Sequence, residues 1–129
     1  MKNLLTSVLI IFSLACSNKA AEESAKLKEE TFKLHDEIMP ISMNLEDLKA
    51  NVMKKAEADT TLKKTALDIS LALDKAYTDM ETWMPKLGEA ADMKDSEEKV
   101  KALTTLKTEG EQLKQATLDA KKKADEFLK

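Results

Sequence analysis

Residues 27–52 run LKEETFKLHDEIMPISMNLEDLKANV. Leu27, Thr31, Leu34, Ile38, Ile41, Leu45, Leu48 and Val52 recur there in alternating steps of four and three without a break. That spacing is the heptad repeat of helices packed in a left-handed bundle, and it predicts a first helix over about residues 25–58. The stretch 58–61, Ala-Asp-Thr-Thr, reads as a turn, with Asp59 or Thr60 capping the next helix. That second helix, over about 61–91, repeats the pattern with Leu62, Ala66, Ile69, Leu73, Ala76, Met80, Trp83 and Leu87. A third, over about 96–128, carries Leu103, Leu106, Gly110, Leu113, Thr117, Ala120, Ala124 and Phe127. Its later seam residues are small, so it is expected to approach the other helices closely. Asp95 followed by Glu98 resembles a capping box at its start.

Three helices of similar length with two short connections imply an all-α fold, an antiparallel three-helix bundle with coiled-coil-like packing over residues 25–129. One or two very long helices assembling between chains would satisfy the same pattern. Composition agrees with a helical chain and a thin aliphatic core: two glycines, two prolines, 35% charged and 4% aromatic residues among 129.

The N-terminus carries a different message. Lys2 precedes an apolar run from Leu4 to Leu14, too short for a permanent membrane span. Leu14-Ala15-Cys16 then places a small residue before the only cysteine. This predicts a lipoprotein signal over residues 1–15, lipidation at Cys16 and a tether over 16–24. Ser13 departs from the usual branched aliphatic residue. A plain signal peptide or an uncleaved anchor would leave Cys16 unmodified. Each acyl chain adds about 0.8 kcal/mol per buried methylene, so a multiply acylated Cys16 would hold the chain to a membrane. A lone cysteine excludes any disulfide within the chain. The formal net charge is −3 and all 21 basic residues are lysine. Evenly spread charge with no arginine leaves no footprint for nucleic acid and no bidentate fork for phosphate.

Two segments stand out within the helices: LHDEIMP, residues 34–40, with the only histidine, and METWMP, residues 80–85, with the only tryptophan. Each ends in Met-Pro, which removes a backbone hydrogen bond and is expected to kink its helix. Antiparallel pairing about the first turn sets His35 opposite Met84 and Met39 opposite Met80, with Leu103 near the same height. One reading of the resulting cluster is a metal site, with His35, Met39, Met80 and Met84 as ligands and Trp83 capping the ion. Thioethers and imidazole select Cu(I) or Ag(I) over harder cations, and an indole face attracts a cation. The other reading is packing, since methionine fills irregular core gaps and gains from contact with an aromatic ring. A small apolar ligand in the gap left by the kinks is a third.

No catalytic constellation emerges. A lone histidine without a nucleophile elbow makes no triad. The chain has no HExxH, no CxxCH and no glycine-rich phosphate loop. Adjacent acids such as Asp36-Glu37 point about 100° apart on a helix. A non-enzymatic protein is expected, with no required cofactor.

The two segments together, after a lipoprotein signal, resemble a group of small helical lipoproteins of Bacteroidota, often labelled "viral A-type inclusion protein". In that group a segment close to HDEVMPKM precedes a helix ending close to MMxWM. His35, Asp36, Glu37, Met39 and Pro40 match the first, and Met80, Trp83 and Met84 match the second. Ile41-Ser42-Met43 and Pro85 depart from the group's pattern. The resemblance loosely covers most of the chain after Cys16 and implies an envelope location and a helical fold, with no functional residue carried over. In that phylum acidic residues after the lipidated cysteine direct surface export. Ser17-Asn18-Lys19 lacks them, which implies a periplasm-facing protein on the outer membrane. The expectation is therefore a structural or protein-interaction module, anchored in the membrane through Cys16 and with other envelope proteins as partners. The alternative is a periplasmic soft-metal binder that uses the His/Met/Trp cluster.

Overall fold

The computed structural model describes the backbone of residues 8–129 and the side chains of residues 18–129. Residues 1–7 of the expected signal and the thiol of Cys16 lie outside that description. The chain forms α1 (Val8–Ser42), α2 (Leu45–Ala58), a 3₁₀ turn (Thr60–Leu62), α3 (Lys63–Asp92) and α4 (Glu97–Leu128). With α2 extending the line of α1, these make three rods packed as an all-α bundle.

Direction follows from side-chain pairs. Lys107 donates to Glu30 at 2.8 Å and Lys114 to Glu37, both across a separation of 77 residues. A constant offset means that α1 and α4 run parallel. Lys49 donates to Asp74 at 2.7 Å, and the Trp83 indole reaches the Leu106 carbonyl, so α3 runs the opposite way between them. Every position of the three expected seams is buried or half-buried. The core divides along the axis. Leu45, Val52, Leu73, Ala120 and Ala124 fill one half. Ile38, Met80, Trp83, Leu87, Leu103 and Leu106 fill the other.

Four local features refine the sequence-based expectation. The first helix is divided at Met43–Asn44, three residues past Pro40. There the Asn44 amide donates to the Ile41 carbonyl at 3.0 Å, a tightened step. The Asn44 side chain instead takes the Pro40 carbonyl at 2.7 Å. An asparagine side chain competes with the helix ladder for such acceptors, and the ladder resumes at Leu48 N–H to Asn44 C=O. Secondly, the matching Met-Pro does not interrupt its helix: α3 runs unbroken through Pro85. Pro85 and Glu81, whose carbonyl loses its partner, both face solvent, so water can satisfy that carbonyl.

The third difference lies at the base of α4. Ser96, rather than Asp95, is the N-cap, its hydroxyl accepting from the Lys99 amide at 3.2 Å. Asp95 accepts from Lys99 Nζ at 3.1 Å and from the Ser24 hydroxyl at 3.1 Å. Fourthly, the tether, expected to be helical only towards its end, is helical throughout its described part and continues the first helix N-terminal of Ala25. Residues 18–24 are already helical, and Ala20 and Ser24 are buried. The other cap is as expected, Asp59 accepting from the Thr61 amide at 3.0 Å and its hydroxyl at 2.7 Å.

Candidate functional site

Where α1 gives way to α2, a cleft of about 420 Å³ opens against α3. Met39, Ser42 and Met43 line it from the end of α1, and Glu46 from the start of α2. Tyr77, Met80, Glu81 and Met84 line it from α3. The spacing explains the convergence. Residues 39, 43 and 46 fall on one flank of their rod, and 77, 81 and 84 on one flank of α3, in steps of four and three. Lys49–Asp74 joins the same two flanks one turn further along. The helix break ends the regular α1 surface beside this flank and leaves Met43 outside the packed seam.

Four of the seven methionines therefore meet at one cleft. Met80 forms its floor at 2% exposure, Met39 and Met84 are half-buried, and Met43 stands at the mouth at 69%. The Ser42 hydroxyl is buried and has no hydrogen-bond partner among the described residues. The mouth is acidic. The Glu81 carboxylate beside the Tyr77 hydroxyl, with burial and the charge of Glu46, pushes the phenol above its ordinary pKa. No lysine lines this cleft, although lysines line each of the other four clefts described on the molecule.

The expected cluster is thus assembled in part. Met39, Met80 and Met84 come together. His35 does not line the cleft: its Nδ1 lies 3.0 Å from Asp36 Oδ1, and its ring sits 6.4 Å from that of Phe32. Trp83 lies on the other flank of α3, buried against α4. Its Nε1–H donates to the Leu106 carbonyl at 3.0 Å. Its ring rests on Gly110 so closely that a Cβ there would lie 2.7 Å from Trp83 Cζ2. The one-residue step between Trp83 and Met84 turns the indole about 100° away from the methionine flank.

Ser42, Tyr77, Glu46 and Glu81 escape a reading that follows the seams rather than the rows beside them. The signal is present in the repeat of 39, 43, 46 against 77, 81, 84. Among the described residues no three His, Cys, Asp or Glu side chains converge to hold a metal; the convergent donors are thioethers. No described helix is long and apolar enough to cross a membrane. Comparison with known proteins finds no matching family model, no similar curated protein and no similar solved structure.

Proposed function

We propose that this chain is a non-enzymatic helical module of the bacterial cell envelope, anchored through a lipidated Cys16 and engaging another envelope protein with its far end. The N-terminal pattern and the resemblance to small envelope lipoproteins support the anchor and a periplasm-facing position on the outer membrane.

One observation carries the interaction. Met53 lies one turn beyond Lys49 on α2, and Leu71 and Leu67 lie one and two turns before Asp74 on α3. The Lys49–Asp74 pair therefore marks the face they share. All three are exposed, Leu67 and Leu71 by more than half. These side chains sit in the half of the rod remote from Cys16. At 1.5 Å per residue, Ala20 to Ala58 spans about 57 Å, so the patch stands well clear of a membrane at the other end. Exposed apolar side chains gathered on one face of an otherwise charged surface are the mark of a contact site.

The test joins both ends. Cells fed an alkyne fatty acid should label the wild-type chain and not Cys16→Ser. A photo-crosslinking residue at position 71 should give a discrete adduct, absent when the same residue replaces exposed Gln112 and lost on Leu67→Lys. Equal, diffuse crosslinking at both positions would remove the interaction reading.

A further inference from the structure

We infer that the cleft at the α1–α2 break is a binding site for a soft monovalent metal ion, Cu(I) or its analogue Ag(I), held by the thioethers of Met39, Met80 and Met84. This goes beyond the anchored interaction module and is independent of it, because the leucine patch and the cleft occupy different stretches of the rod.

Three observations converge. Thioether sulfur is polarisable and uncharged, a donor that favours a soft monovalent cation over Mg²⁺, Ca²⁺ or Zn²⁺. Three such donors from two rods line one space of about 420 Å³, which their own packing leaves unfilled. The Ser42 hydroxyl is buried beside them without a partner among the described residues, as are those of Ser70 and Thr117 elsewhere, so it adds a polar wall to the cleft while the sulfurs supply the ligands. Charge supplies the third. Glu46 and Glu81 stand at the mouth with no lysine in the lining, so the local field attracts a cation and offers none already bound in its place. An apolar ligand would gain nothing from two carboxylates and an unpaired hydroxyl.

Met43 adds a route. It projects into solvent directly before the break, where Asn44 is released from the regular ladder. An exposed thioether there can take the ion first and pass it inward to Met39 and Met80. His35, facing Asp36 and Phe32, takes no part.

The experiment uses the full chain with Cys16→Ser in detergent, so that a thiol does not compete. Cu(I) is titrated anaerobically against a chromogenic chelator, with circular dichroism to verify the fold of every variant. One equivalent bound per chain is expected, with X-ray absorption reporting sulfur neighbours. Met39→Leu and Met84→Leu conserve volume and should abolish competition with the chelator. Ser42→Ala should leave binding nearly unchanged because the sulfurs are the ligands, Met43→Leu should slow loading without changing the end point, and His35→Ala should change nothing. Failure of this Cys16→Ser chain to compete overturns the inference, and so does binding that survives Met39→Leu and Met84→Leu together. Leu71 crosslinking is scored separately, so either result leaves the interaction module to stand or fall alone.

Discussion

Trp83 and Gly110 fit as bulge and notch: the indole edge lies where any larger residue at position 110 would place its side chain. Glycine inside a helix costs about 1 kcal/mol relative to alanine, and here the cost is offset by the indole's burial to 3% and its bond to the Leu106 carbonyl. Gly110→Ala should therefore destabilise the chain by about 1–3 kcal/mol despite its better helix propensity. At Gly88 an added Cβ would meet nothing within 4 Å. Gly88→Ala should behave oppositely, stabilising by about 0.5–1 kcal/mol. Urea unfolding followed by tryptophan fluorescence separates the two, and equal signs would discredit the notch.

Thr117 occupies a seam position at 0% exposure, and its hydroxyl has no partner among the described residues. A buried hydroxyl left unpaired costs about 1–3 kcal/mol. Thr117→Val keeps the shape and removes the polar atom, so the thermal midpoint should rise. A fall would mean that the hydroxyl is satisfied by water.

The break at Asn44 depends on its side chain holding the Pro40 carbonyl. Asn44→Ala removes that competitor and lets the backbone amide claim the carbonyl as in a regular helix. Ellipticity at the helical band should increase and stability should gain about 0.5 kcal/mol. An unchanged spectrum would place the cause of the break in Pro40 alone.

Acid should loosen the bundle. Hydrogen bonds from Lys107 to Glu30 and from Lys114 to Glu37 hold both carboxyls below the ordinary range, and those from Lys99 and Ser24 do so for Asp95. A carboxyl whose pKa is lower in the folded chain contributes stability that is complete above its unfolded value. That contribution disappears as the pH falls through the folded value. Thermal midpoints should hold at neutral pH and decline below about pH 4. These groups are solvated, so raised salt should shrink the effect. A midpoint insensitive to acid would show that the lateral pairs contribute nothing.

The seams were legible because they rest on periodicity, and burial of apolar residues at that period is the dominant force on each helix. Leu27 through Phe127 accordingly fell where the spacing put them. Caps and breaks answer to single hydrogen bonds, which periodicity does not encode. Asp95 looked like a cap because it precedes Glu98, yet Ser96 capped the helix and Asp95 bonded Ser24, a residue 71 positions away. The methionine cleft was half visible. Met39, Met80 and Met84 share a level because antiparallel register fixes height. Trp83 and His35 share that height too, but rotation about each helix turned them elsewhere, and Ser42 became part of the site only through its burial.

The parallel pairing of α1 with α4 has a consequence for alignment. Glu30 and Glu37 are one heptad apart, and Lys107, Lys114 and Lys121 continue at the same interval on α4. Sliding α4 by seven residues would set Lys114 against Glu30 and Lys121 against Glu37, with both charges still matched. The ion pairs are thus a ruler with identical graduations, blind to a shift by one whole mark. Gly110 is an odd graduation, since one setting alone brings it beneath the indole, and the Ser24–Asp95 bond at the base of α4 is another. A chain lacking that notch would retain its helices and its charge matching while leaning on the base of α4 alone to distinguish one setting from the next.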